Sequence, residues 1–179
     1  MERIKVSIII LTKNSEQTLG HCLSALKKAL LGIESYEVII VDGYSRDRTL
    51  DIVSTYFPNA RILQHKGNLA QCRKIGIQAS QGEYICMIDS DIVVPPNFFD
   101  MLRFFDDDDV GCIAGIFDFV GDSFVKEYYE HKRERLQLKK IGVIETDESV
   151  AAACTIYRAS LLKRCLPDER LFAGEDKDM

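Results

Sequence analysis

Two carboxylates one residue apart are the feature of this sequence with the clearest chemistry. Asp89 and Asp91 follow the apolar run at residues 85–88. A strand leaving the core there would carry both side chains to its end, where their oxygens can bind a hard divalent cation such as Mg²⁺ or Mn²⁺. Such a cation in turn binds diphosphates. The alternative is a solvated acidic turn, because Asp and Ser are common wherever strands end.

Strand and helix patterns alternate through the first half of the chain and would position these carboxylates. Continuous apolar runs, typical of strands buried on both faces, alternate with apolar residues at helical spacing. The predicted strands are residues 6–11, 37–42, 60–63 and 85–88, and the predicted helices are residues 19–30, 49–57 and 68–79. This order predicts an α/β fold with a mostly parallel central sheet flanked by helices.

Polar residues stand at the ends of three of these strands. Thr12, Asp42 and Asp89 each follow or close an apolar run. Ligands of such folds bind beyond the carboxyl ends of the strands, so three separate loops would supply polar groups to one crevice. This placement favours a binding site over a solvated turn.

The second half of the sequence is less regular. We predict helices at residues 98–105 and 159–165 and strands at residues 110–115 and 151–157. Residues 124–141 form a charged segment that is most simply a solvated helix with one apolar stripe, and a role in gating the acceptor or contacting a membrane surface is the alternative.

Composition narrows the function classes. The chain has 179 residues, 46% of them hydrophobic, and a formal net charge of −5, which argues against a nucleic-acid partner. The sequence shows no apolar run long enough to cross a bilayer and no secretory leader, so we expect a cytoplasmic protein. The six cysteines form no C-x-x-C pair, and we expect buried free thiols.

Four motifs in order resemble the inverting nucleotide-sugar transferases of glycosyltransferase family 2, which have the GT-A fold. They are residues 6–14 (VSIIILTKN), 38–49 (VIIVDGYSRDRT), 82–91 (GEYICMIDSD) and 174–176 (GED). The resemblance runs nearly from end to end of the chain. It implies a glycosyltransferase that moves a hexose from a nucleoside diphosphate to an acceptor hydroxyl with inversion, with Mn²⁺ or Mg²⁺ as cofactor.

The resemblance also implies roles for individual residues. Asp91 would bind the metal, and Asp89 would lie near the donor ribose or a metal-bound water. Arg73 would face the diphosphate, with an ordinary solvated helix arginine as the alternative. The residues that it assigns to the donor nucleotide are Leu11, Thr12, Asn14, Asp42, Gly43, Ser45, Arg73, Asp89 and Ser90.

The resemblance also concerns Gly43, Lys13, Glu175 and Asp176. Gly43 stands where the family often has a second Asp beside the base, and Lys13 stands where many relatives have a tyrosine. Asp176, paired with Glu175, would be the general base that accepts the proton of the acceptor hydroxyl. The alternative for Glu175 and Asp176 is a solvated acidic tail.

We therefore expect a single glycosyltransferase domain over residues 1–179, truncated at its C-terminus. A carbohydrate or lipid-linked acceptor is implied by resemblance, as is membrane association through segments beyond residue 179 at the cytoplasmic face. Two alternatives remain open. A nucleotidyltransferase would normally show a Gly-rich phosphate loop after the first strand, where the chain has Thr12 and Lys13. A non-catalytic nucleotide-sugar binding domain would need no base.

Overall fold

The computed structural model of the chain describes residues 4–115 and 153–170. Residues 4–114 and 153–170 belong to one compact unit. Its strands are β1 (Val6–Thr12), β2 (Tyr36–Asp42), β3 (Arg61–Gln64), β4 (Tyr84–Asp89), β5 (Cys112–Ala114) and β6 (Cys154–Arg158). Its α-helices are α1 (Leu19–Ala29), α2 (Thr49–Tyr56), α3 (Leu69–Ala79) and α4 (Ala159–Leu162). A 3₁₀ helix spans Phe98–Asp106.

The six strands form one sheet in the order β3-β2-β1-β4-β6-β5. The β3-β2, β2-β1 and β1-β4 pairs are parallel, and the β4-β6 and β6-β5 pairs are antiparallel. The four parallel strands are the four predicted in the first half of the chain. The predicted α/β architecture with a mostly parallel sheet is confirmed.

Helices cover both faces of the sheet. On one face, Ile77 of α3 packs with Ile9 and Met87 in the main apolar cluster. Gly76 lets α3 approach closely, since a Cβ atom there would lie 2.6 Å from a methyl group of Ile9. On the other face α1 buries Leu19, Cys22, Leu23 and Leu26. The apolar spacing read from the sequence is therefore the spacing that buries the helices.

Boundaries differ from the predictions mainly after β4. The segment predicted as a helix at 98–105 is a 3₁₀ helix, held by bonds such as Asp100 N to Asn97 O. The strand predicted at 110–115 pairs only over Cys112–Ala114. The predicted helix 159–165 ends at Leu162 and continues as single turns, with Arg164 N donating to Leu161 O and Cys165 N to Leu162 O. The charged segment 124–141 lies outside the described residues.

The cysteine prediction holds for four thiols. Cys22, Cys72, Cys86 and Cys154 are buried, and none of the six cysteines forms a disulfide. Cys112 is half-buried, and Cys165 is exposed, so the prediction is wrong for Cys165, which follows α4 in a surface turn. Across residues 4–115 and 153–170, no helix has the length and apolar content needed to span a membrane.

Candidate active site

The carboxyl ends of β1, β2 and β4 lie side by side at one edge of the sheet. Thr12 stands opposite Asp42 in the β1-β2 register, and Leu11 stands opposite Asp89 in the β1-β4 register. The structure thus brings together the three polar strand ends that the sequence pattern selected. Thr12 and Asp42 are buried, whereas Asp89 is partly exposed.

Asp42 is fully buried and accepts four hydrogen bonds. The backbone N–H and hydroxyl of Ser45 donate at 2.9 and 2.5 Å, the Thr12 hydroxyl at 3.1 Å and Gln64 Nε2 at 3.3 Å. Burial alone would raise the pKa of Asp42, but these donors outweigh it, and the pKa lies below its ordinary value. Both carboxylate oxygens are therefore committed to joining three strand ends.

Gln64 was not predicted as a site residue. It ends β3 directly opposite Asp42 in the parallel register. Aligning β2 and β3 as parallel neighbours could have identified Gln64, because this alignment places the last residue of β3 opposite Asp42.

The loops after β1 and β2 are bonded to each other. Asn14 N donates to Ser45 Oγ, and Arg46 N donates to Asn14 Oδ1, each at 2.8 Å. Asn14 and Tyr44 have φ of 51° and 58°, and they are the non-glycine residues with positive φ in the described part of the chain. Asn14 and Ser45, assigned to the donor nucleotide by resemblance, hold these two strained loops together.

Gly43 and Lys13 form one structural feature. Gly43 N donates to Thr12 O at 2.8 Å, which brings the two loops into contact. A Cβ atom on Gly43 would lie 3.1 Å from Cδ of Lys13 and 3.3 Å from its Cβ and Cγ. A side chain at position 43 would therefore crowd the lysine stem, which would have to shift by a few tenths of an ångström.

Asp89 and Asp91 leave the sheet in a tight turn. Ile92 N donates to Asp89 O at 3.1 Å and closes the turn. Asp89 N donates to Ala153 O at 2.9 Å, and Ser90 Oγ lies 3.2 Å from Ser15 Oγ in the loop after β1. The turn is fixed from both sides, with Asp89 partly exposed and Asp91 exposed.

Arg73 is not a solvated helix arginine. It lies on α3 with 8% of its surface exposed, and its Nη2 is 3.9 Å from Oδ1 of Asp89. A buried guanidinium needs a compensating negative charge, which Asp89 supplies. The alternative in which Arg73 points to water is wrong, because its side chain is buried beside Asp89 at the end of β4.

The carboxylates of the turn after β4 help to raise the pKa of a buried thiol. Burial, followed by the charge of Asp91, the neighbouring Cys154 and the charge of Asp89, raises the pKa of Cys22 to about 12. Its thiol lies 3.7 Å from Asp89 O. Cys22 is therefore an uncharged part of the floor below the turn.

The donor set suits a hard cation bound together with a diphosphate. Two carboxylates are available from Asp89 and Asp91, and residues 4–115 and 153–170 contain no group of three or more metal-ligating side chains. Mg²⁺ characteristically binds one or two carboxylates and completes its shell with substrate phosphates and water. Glu175 and Asp176, predicted as the catalytic pair, lie outside the described residues.

Comparison with known proteins decides the family. The sequence matches the family described as "Glycosyl transferase family 2" over residues 7–166. This chain belongs to glycosyl transferase family 2. The match includes β1 to β6 in part or in full, together with Asp42, Arg73, Asp89 and Asp91. The predicted family is therefore confirmed, and it is a family of enzymes that transfer sugars.

Among relatives by sequence, this family 2 chain is 35% identical over 94 residues to a poly(ribitol-phosphate) beta-glucosyltransferase of Bacillus spizizenii. The match covers 49% of this chain and 15% of that relative. The chain therefore spans only a small part of the length of this curated relative.

Solved structures confirm the GT-A fold. Residues 1–349 of TarS from Staphylococcus aureus superpose with a TM-score of 0.73 at 24% identity, covering 97% of this chain and 53% of that one. The same TarS fragment has been solved with UDP-GlcNAc. The mannosyltransferase PcManGT from Pyrobaculum calidifontis, solved with GDP-Man and Mn²⁺, has a TM-score of 0.70 at 18% identity and covers 99% of this chain and 51% of that one.

Proposed function

We propose that this chain is the donor-binding domain of a metal-dependent, inverting glycosyltransferase that moves a hexose from a UDP-sugar to a hydroxyl group of an acceptor and releases UDP. The observation that carries the proposal is the buried Arg73 beside Asp89, in the turn that also carries Asp91, at the carboxyl end of a parallel strand. The family match and the GT-A fold support the reaction class.

The arrangement suits the departure of a nucleoside diphosphate. As the bond between the anomeric carbon and the β-phosphate oxygen breaks, negative charge develops on the diphosphate. Arg73 can donate charge-assisted hydrogen bonds to those oxygens, and its burial strengthens them. A divalent cation bound by Asp89 and Asp91 would neutralise further charge on the diphosphate.

Inversion requires a base on the opposite face of the sugar. The acceptor oxygen attacks the anomeric carbon as the diphosphate leaves, and its proton passes to a carboxylate. By resemblance we assign this proton to Asp176, with Glu175 as its partner. This assignment is a proposal, as is a cytoplasmic location of the reaction.

The relatives suggest substrates. Uridine donors are proposed because the TarS fragment binds UDP and UDP-GlcNAc. A polymer of polyol phosphates is proposed as acceptor because the relative at 35% identity is a poly(ribitol-phosphate) glucosyltransferase. A lipid-linked acceptor with membrane association remains the alternative within the same reaction class.

Donor binding is tested by calorimetry on the full chain. Titrations with UDP, UDP-GlcNAc and GDP-mannose are run with Mn²⁺ and again with EDTA. The site variants are Arg73→Met and Asp91→Asn, and the control is Asp109→Asn, an exposed carboxylate in the turn after the 3₁₀ helix. We expect UDP affinity to fall about ten- to a hundredfold in both site variants and to stay unchanged in the control. Equal UDP affinity with Mn²⁺ and with EDTA would remove the metal from the proposal.

Catalysis is tested separately through Asp176. Replacing Asp176 by Asn should lower transfer to poly(ribitol phosphate) by about 10²- to 10⁴-fold, because the amide cannot accept the proton. Donor affinity should not change. Unchanged transfer in Asp176→Asn would remove Asp176 as the base.

A further inference from the structure

Residues 163–169, which follow α4, bind both ends of α3, and we call this segment the strap. Lys163 Nζ donates to the carbonyl of Ser80, the C-cap residue of α3, at 2.7 Å. At the other end of the helix, Nδ2 of the N-cap residue Asn68 donates to Glu169 O at 2.8 Å. The strap therefore runs along α3 in the opposite direction to the helix.

The strap and the helix have matching lengths. The 11 residues of α3 rise by about 16 Å, and an extended chain from Lys163 to Glu169 can span up to about 20 Å. Between these ends, Leu166 packs against the main apolar cluster and Pro167 is buried. The Glu169 carboxylate adds an ion pair with Lys74 of α3. The strap is thus bound to α3 at both ends and packed in between.

Bonds at both ends restrain a helix in a way that apolar packing does not. Ile77 of α3 packs in the main apolar cluster, and such contacts are non-directional. Hydrogen bonds depend on distance and angle, so those at the two ends oppose sliding of the helix along its axis. Helix shifts of about 1 to 2 Å are a common form of conformational change. A shift of that size would move Arg73, which α3 holds 3.9 Å from Asp89.

We propose that Lys163 and Glu169 are positioning residues, which hold α3 so that Arg73 stays in place for the donor diphosphate. The proposal rests on the proposed function. A guanidinium binds phosphate oxygens through a planar fork of donors, so its bonds weaken when the fork is displaced or tilted. The strap would therefore act on donor affinity through Arg73, without itself contacting the donor.

The two ends of the strap should differ in importance. At the C-terminal end of α3, Arg61 Nη1 also donates to Ala79 O, at 2.8 Å, so this end stays bound when Lys163 is removed. The N-terminal half, which carries Arg73, is held by Glu169. The Glu169 side chain is 45% exposed, and ion pairs this exposed contribute little to folding stability. Variants of the strap should therefore fold.

Calorimetry of UDP binding with Mn²⁺ on the full chain tests the proposal. The variants are Glu169→Ala, Lys163→Met and the two together, each made in the wild-type chain and in an Arg73→Met background. The matched control is Arg164→Met, which removes an exposed positive charge next to Lys163. Uridine is titrated as a ligand without the diphosphate, and urea unfolding measures the stability of each variant.

We expect UDP affinity to fall about three- to tenfold in the double variant, with Glu169→Ala causing more of the loss than Lys163→Met. Uridine affinity should not change, and the control should match wild type. In the Arg73→Met background the strap variants should cause no further loss. Unchanged UDP affinity in the double variant, an equal loss for uridine, or the same loss without Arg73 would each overturn the positioning role. A wild-type chain that binds no UDP would instead overturn the proposed function.

Discussion

Replacing Asp42 by Asn should destabilise the fold by about 2 kcal/mol at neutral pH. The wild-type carboxylate accepts two bonds from Ser45, one from Thr12 and one from Gln64, all in a fully buried position. Hydrogen bonds to a charged group contribute about 1.5 to 3 kcal/mol each. The amide can face its NH₂ toward the two hydroxyls, which rotate to accept, so only the charge-dependent part of these bonds is lost.

The destabilisation caused by Asp42→Asn should decrease as the pH is lowered. The folded pKa of Asp42 lies below its unfolded value of about 3.9, so the unfolded chain binds the proton more readily. The carboxylate's contribution is therefore fully present above the unfolded pKa and disappears as the pH falls through the folded pKa. The difference between wild type and Asp42→Asn should be constant from neutral pH down to about pH 5 and should narrow below about pH 4.

Urea unfolding followed by far-UV circular dichroism measures this difference, since the chain contains no tryptophan for fluorescence. The midpoint should shift while the m-value stays constant. Asp109→Asn, on an exposed turn, is the control and should leave the midpoint unchanged. The reasoning is refuted by an unshifted midpoint in Asp42→Asn at neutral pH, or by a difference that does not narrow in acid.

Three further predictions concern stability and reactivity. Gly76→Ala should lower the free energy of unfolding, measured by thermal unfolding, by about 1 to 3 kcal/mol, because the new Cβ would meet Ile9. Gly20→Ala, with open space around it, should leave the free energy of unfolding unchanged or raise it. Equal effects of the two substitutions would contradict the close packing at Gly76. Tyr44→Gly should raise the free energy of unfolding by up to about 1 kcal/mol, because Tyr44 is exposed and has φ of 58°, which glycine adopts without strain. A lower free energy of unfolding in urea would show instead that the Tyr44 ring contributes packing. In the native protein, Cys165 should react fastest with a disulfide reagent, because the buried cysteines are shielded from it. Cys165→Ser should therefore abolish the fast phase of thiol modification.

The sequence by itself determined the fold class and the edge of the sheet where the site lies. Apolar runs and helical spacing are local patterns, and burial of these patterns leaves few arrangements for three βα units and a fourth strand. Since parallel strands place their carboxyl ends together, Thr12, Asp42 and Asp89 could be assigned to one cleft before their neighbours were known. The ordered motifs added the family, which the match over residues 7–166 confirms.

The tertiary structure alone decided what those side chains do. Asp42 is committed to Thr12, Ser45 and Gln64 because strands β1, β2 and β3 are neighbours, a relation that no local window contains. The same is true of Arg73, whose burial against Asp89 depends on how α3 packs. Hydrogen bonds and ion pairs act over a few ångströms between residues far apart in sequence, so their partners follow only from the packed chain.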